Sequence, residues 1–187
     1  MKKIVIIATF CMALVACNNK SSEESLADSQ STGADTGTAE SSKAVEFADM
    51  KYMDIGKRGL QQLASADVDG WMSSFADNAV YLWSAGDSLA GKQAITNYWK
   101  DRRNNVMDSI NFTNDIWLSV KVNQPQRGPD MPGVWLMGWY QFNVKYKNGK
   151  KVSGWIHADM HFNDKDQIDR TVMYFDRAPI NAALGKK

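Results

Sequence analysis

From Met107 to the C-terminal region the sequence alternates apolar and polar residues in long runs, and Asn148-Gly149 interrupts them with the strongest hairpin signal in the chain. Side chains two apart on a strand share a face, so this half must form an antiparallel meander with one face to cover. Four candidate strands follow: Asn111 to Val122, Val134 to Tyr146, Lys151 to Phe162 and Ile168 to Phe175. The stretch Asn123 to Gly133, with three prolines and two glycines, is a loop in any reading, and Asn163 to Gln167 turns the last pair.

The residues before Met107 supply the cover. Val45, Ala48, Tyr52, Ile55, Gly56, Gly59, Leu60 and Leu63 recur at helical spacing, which predicts an amphipathic helix from Val45 to about Ala64. Its two glycines each weaken it by about 1 kcal/mol relative to alanine. They mark either the close approach of another backbone, which is the preferred reading, or space left for a ligand. Asp67 is the expected N-cap of a short second helix carrying Trp71 and Phe75, broken by Asp77-Asn78. Ala79 to Trp83 reads as a strand with Val80 and Leu82 on one face and Tyr81 and Trp83 on the other. After a loop from Gly86 to Gly91, a third helix aligns Ala94, Ile95, Tyr98, Trp99 and Arg102. Three helices followed by a meander is an α+β pattern, in which the sheet curls over the helices.

The first residues are an address. Lys2 and Lys3 precede an apolar run from Ile4 to Ala13, too short for a permanent membrane span, and then comes Leu14-Val15-Ala16-Cys17. This ending resembles a bacterial lipobox. The resemblance implies cleavage of residues 1–16 and a lipid on Cys17, and the missing aspartate after Cys17 points to the outer membrane, with periplasmic or surface side left open. Residues 18–43 are rich in Ser, Thr, Ala, Gly, Asp and Glu with no aromatic, which predicts a disordered tether reaching on the order of 30 Å. The domain is then 44–187. Cys11 lies in the discarded segment, so the domain has neither disulfide nor thiol nucleophile. Without Lys2 and Lys3 the chain carries 20 basic and 21 acidic side chains, and no basic run interleaves with aromatics, which argues against nucleic acid as a partner.

Three stretches carry a wider resemblance: Ala66-Asp67-Val68-Asp69-Gly70-Trp71, then Phe75-Ala76-Asp77-Asn78-Ala79-Val80 with Gly91-Lys92-Gln93-Ala94-Ile95, and finally Phe162-Asn163-Asp164-Lys165-Asp166-Gln167-Ile168. Together they resemble the nuclear transport factor 2-like superfamily, which includes SnoaL-like polyketide cyclases and ketosteroid isomerases. The resemblance implies a cone, a bent sheet wrapped round three helices, with a pocket between them. It also implies that the isomerase tyrosine, base and second acid fall on Gly59, Trp83 and Ala158. None of these can abstract a proton or donate to an oxyanion, which argues against that mechanism.

Which face of the strand Lys151 to Phe162 lines the pocket stays open. Hydrophobicity and downstream matching put Ile156, Ala158, Met160 and Phe162 inside. A two-residue turn at Asn148-Gly149 instead pairs Phe142 with Trp155 and Tyr140 with His157, which would turn the odd set in; a bulge would reconcile the two. With the odd set inside, His157 and Asp159 become a candidate catalytic acid/base pair. The string His157-x-Asp159-x-His161 lacks zinc-motif spacing, so no metal is assigned, and no cofactor fingerprint occurs, so none is expected.

The remaining signal is aromatic. Tyr81, Trp83, Trp99, Tyr140, Phe142 and Tyr174 are the candidate ligand-binding residues of an aromatic-lined pocket. The preferred reading is a lipid-anchored envelope protein binding a small, mostly apolar molecule and touching the membrane only through Cys17. Its alternatives are a SnoaL-like isomerase, cyclase or dehydratase using His157 and Asp159, and a module that dimerises through a sheet face bearing Trp135, Trp139 and Trp155, with a vestigial pocket.

Overall fold

Strands β5 (Gly133–Tyr146) and β6 (Lys151–Phe162) share the hairpin from which the sheet takes its register. The computed structural model describes residues 43–124 and 131–186; the export signal, Cys17, nearly all of the tether and the middle of the Asn123–Gly133 loop lie outside them. At the hairpin, the Tyr146 N–H donates to the Lys150 carbonyl at 2.8 Å and the Gly149 N–H to the Tyr146 carbonyl at 2.9 Å. Gly149 has φ of +84°, the left-handed conformation that ends a three-residue loop with a bulge. The two-residue turn is thereby corrected. Phe142 faces Gly154, Tyr140 faces Ile156, and His157 sits opposite Trp139. One residue of slip reverses every side chain, so the even set of β6 turns inward, with Ala158, Met160 and Phe162 buried.

β4 (Met107–Val122) pairs with β5, and β7 (Ile168–Tyr174) closes the meander on β6, all antiparallel. β4 starts four residues earlier than its alternation suggested. The sheet continues through β2 (Phe75–Trp83), parallel to β7, to the short β3 (Ser88–Ala90); β1 (Val45–Phe47) forms the other edge against Val120–Val122 of β4.

Four local expectations are revised. Val45–Phe47 is an edge strand, so the first helix, α1, runs only Lys51–Ala64. The second, α2 (Val68–Met72), is capped by Asp67, whose carboxylate accepts from the Gly70 N–H at 2.9 Å, but it excludes Phe75. Phe75 opens β2 opposite Ile168, and Asp77-Asn78 bulges that strand instead of breaking a helix. Ser88–Ala90 inside the supposed Gly86–Gly91 loop is strand, because its backbone pairs with Val80–Leu82. Finally, α4 (Ala178–Leu184) follows the sheet, with Pro179 in its first turn, where its missing N–H costs nothing.

α3 (Lys92–Asp101) continues into a π-helical turn, Arg102–Val106. Tyr52, Phe75, Tyr81, Ile95, Leu136, Tyr140 and Phe162 form the main core between the helices and the inner sheet face. Met107, Phe142, Val144 and Tyr146 form a second with Ala183 of α4. The two glycines of α1 are filled by indoles, not by an approaching backbone. A Cβ on Gly56 would stand 2.7 Å from Trp117 Cζ3, and one on Gly59 2.9 Å from Trp71 Cδ1.

Candidate functional site

Because β2 alternates, Tyr81 and Trp83 point to the same side as the buried Ala79, toward α3. On α3, Tyr98 and Trp99 reach back toward them. Ring centroids lie 4.9 Å apart for Tyr81–Trp83, 5.3 Å for Trp83–Tyr98 and 6.1 Å for Tyr81–Trp99, all tilted or edge-on, as aromatic quadrupoles prefer. From the inner face of β5, Tyr140 and Phe142 complete the wall. These side chains enclose a mostly apolar cavity of about 290 Å³, capped along one side by Ile180 and Leu184 of α4.

The interior is not wholly apolar. Burial pushes both the Tyr81 and the Tyr140 phenol above the ordinary range, so both stay neutral donors near neutral pH. Thr171 and Trp99 line the cavity too; Thr171 Oγ1 and Trp99 Nε1 are fully buried without a hydrogen-bond partner among the described residues, as is Arg103 Nη1 outside the cavity. Thr171 is the register neighbour of Tyr81. A buried polar group left unpaired costs about 1–3 kcal/mol.

The rim is basic. Arg102 begins the π-turn with its guanidinium 5.4 Å from the Tyr98 ring centroid. Burial raises the Tyr98 and Tyr146 phenols, and Arg102 beside them opposes that rise. Arg177 also lies on the wall, ion-paired with Asp87 at 2.5 Å. Asp87 is the one carboxylate among the described lining residues, which include no histidine.

Five of the six expected ligand-binding residues, Tyr81, Trp83, Trp99, Tyr140 and Phe142, therefore meet at one cavity. Tyr174 does not: it lies on the outer sheet face, stacked on His157 with centroids 5.5 Å apart. His157 and Asp159 are on that face too, a consequence of the three-residue hairpin loop, and do not line the cavity. His157 Nε2 is 2.9 Å from Asp159 Oδ1, its Nδ1 is 3.3 Å from the Gly138 carbonyl, and Trp139 stacks at 4.6 Å. Partial burial raises the Asp159 carboxyl, and His157 opposes this. His161 is buried between Asp169, at 2.6 Å, and the Pro132 carbonyl, at 3.0 Å. No group of three metal-capable side chains occurs among the described residues. Of the three positions matched to the isomerase, Trp83 lines the cavity, Gly59 packs on Trp71 and Ala158 is fully buried.

Arg102 and Thr171 were not singled out as site residues. For Arg102 a signal existed: a cation that continues the apolar stripe of Ile95, Tyr98 and Trp99. Thr171 had none, since its burial depends on the extra residue that β7 carries against β6, where Ile168 pairs with Phe162 and Arg170 with His161.

No family model matches this sequence, and no curated protein matches it either. Solved structures do match. A Bacillus subtilis protein provisionally called an isomerase has 18% identity and a TM-score of 0.57 over 73% of this chain and 94% of its own. A Xanthomonas campestris protein provisionally called a polyketide cyclase has 12% identity and a TM-score of 0.58, over 72% and 97%. A nuclear transport factor 2-like protein of unknown function from Burkholderia pseudomallei has 10% identity and a TM-score of 0.54, over 71% and 95%. At such identities the likeness is one of fold, and the fold is the expected nuclear transport factor 2-like one.

Proposed function

We propose that this nuclear transport factor 2-like domain is held at the bacterial cell envelope by a lipid on Cys17, at the outer membrane, and binds a small, mostly apolar molecule. The observation that carries the reading is the aromatic-walled cavity of about 290 Å³, with Thr171 and the Tyr81 and Tyr140 phenols among its lining. Aromatic walls supply buried area, and a few polar groups fix orientation, which is the usual composition of a ligand site. The runner-up, an enzyme using His157 and Asp159, has no such support, because that pair stands on the opposite face of the sheet from the cavity.

Native mass spectrometry of the chain downstream of the export signal, purified from its own host with Cys17→Ser, tests the binding. A defined extra mass that is lost in Trp83→Ala supports it; an empty protein and no response to any apolar probe argue against it. Membrane fractionation tests the anchor: Cys17→Ser should move the protein to the soluble fraction.

A specific observation favours a second property, a homodimer through the outer sheet face. Ile116, Trp155 and Tyr174 are 59%, 51% and 43% exposed there, beside the half-buried Trp135 and Trp139. Large apolar groups gathered on one exposed face mark an interaction surface more often than scattered ones do.

A further inference from the structure

The charged groups of the cavity wall are unevenly matched. Among the described lining residues, Arg102, Arg177 and Lys186 stand with a single side-chain carboxylate, Asp87, which is engaged with Arg177. Among the ion pairs of the described residues none includes Arg102. Its guanidinium lies 5.4 Å from the Tyr98 ring centroid and donates to the Tyr98 and Tyr146 hydroxyls, neutral partners that leave its charge unbalanced. A half-buried guanidinium without a counter-ion among the described residues, lining an apolar cavity, is a site for an anion. The chain as a whole is almost neutral, so this local excess does not follow from composition.

We propose that the ligand of the cavity is an acid, an apolar body seated among Trp83, Tyr140 and Phe142 whose anionic headgroup is held by Arg102 at the rim. The assignment rests on the reading that the cavity binds a ligand and adds its chemical class. A carboxylate suits the geometry because the guanidinium fork offers two parallel N–H donors, and an aromatic ring against the fork restricts its rotation before the ligand arrives. Asp87 does not compete for Arg102, since Arg177 holds it. A neutral molecule of the same shape would fill the apolar wall equally well and leave Arg102 with only the Tyr98 and Tyr146 hydroxyls and water.

The test compares three probes on the chain downstream of the export signal carrying Cys17→Ser: decanoic acid, decanol and methyl decanoate. Binding is followed by tryptophan fluorescence and calorimetry at pH 7.5. The acid should bind about tenfold or more tighter than the alcohol or the ester, the order expected for one charge-assisted pair. Arg102→Gln should remove that advantage while changing decanol affinity by less than about twofold, and Arg102→Lys should keep part of it. Circular dichroism and retained decanol binding show that each variant is folded. Equal affinity for the acid and the alcohol in the unaltered protein, or an equal loss for both in Arg102→Gln, overturns the acid assignment and leaves the cavity reading standing. No binding of any of the three, with no change in Trp83→Ala, overturns the cavity reading and the acid assignment with it.

Discussion

Trp117 and Gly138 face each other across β4 and β5, and the indole lies over the glycine where a side chain would be: a Cβ on Gly138 would come within 2.5 Å of Trp117 Cζ3. The same indole meets Gly56 of α1, so one tryptophan stands between helix and sheet where two glycines make room for it. Trp117 then stacks on Tyr140, with ring centroids 5.7 Å apart, which ties this packing to the cavity wall.

Gly138→Ala should therefore destabilise. Alanine in a strand interior is ordinarily better than glycine by about 0.5–1 kcal/mol, but overpacking costs about 1–3 kcal/mol, and a contact at that distance decides for overpacking. Urea unfolding should show a net loss of about 1–2 kcal/mol. In a Trp117→Leu background the penalty should disappear or reverse. An additive double mutant would show that the two positions do not act on each other.

Asp166 gives a pH-dependent tie between α1 and the β6–β7 turn. It accepts from Tyr52 Oη at 2.6 Å and pairs with Lys51 at 2.7 Å, and these hydrogen bonds hold its carboxyl below the ordinary range. A lowered folded-state pKa means that the stabilisation is present above the usual aspartate range and is lost as pH falls through the lowered value. Asp166 has φ of +56°, which asparagine tolerates, so Asp166→Asn tests the charge without straining the turn. The variant should melt below the unaltered protein at pH 7, and the two should converge in acid. Salt should shrink the gap at pH 7, because the pair is half exposed.

The legible parts of the fold were those where local chemistry admits one answer. Asp67 had to cap a helix, and Tyr81 with Trp83 had to share a face, because a strand leaves no other choice. The inward face of β6 was not legible, because Asn148-Gly149 serves both a two-residue turn and a three-residue loop with a left-handed glycine, and the two differ by one residue of register. That residue decides whether His157 or Ala158 faces inward. Val45–Phe47 was hidden for another reason: its spacing to Tyr52 continues a helical stripe, while its pairing partner lies about 75 residues away in β4. The basic rim needed the third dimension, since Asp87, Arg102 and Arg177 come from three separate segments.

His161 is buried on the outer face with both ring nitrogens engaged, to the Asp169 carboxylate and the Pro132 carbonyl. It also lies against Gly133, whose φ of +117° leaves no room for a side chain there: a Cβ would be 2.8 Å from His161 Nε2. Replacing His161 by alanine removes a buried ring and leaves the mostly buried Asp169 carboxylate without its partner, while the exposed Pro132 carbonyl turns to water, a loss of about 1–3 kcal/mol. Denaturant unfolding should show a loss of that order. The near-ultraviolet dichroism should change as well, since the Trp135 ring packs on His161 with centroids 5.0 Å apart. An unchanged midpoint would mean that water replaces both contacts.

Trp155 is the most exposed tryptophan-bearing position of the outer sheet face, and it decides between a free surface and a dimer contact. A single indole in water costs little, but with Ile116, Trp139 and Tyr174 on the same face it extends one apolar patch over several strands. If two copies meet there, Trp155→Lys places a desolvated charge at an interface with two-fold symmetry, so the penalty counts twice. Sedimentation of the Cys17→Ser chain at tens of micromolar should then give a dimer for the parent and a monomer for Trp155→Lys, with the melting temperature becoming independent of concentration in the variant. A parent that sediments as a monomer at that concentration removes the dimer, and the aromatic face must then be explained by a different partner.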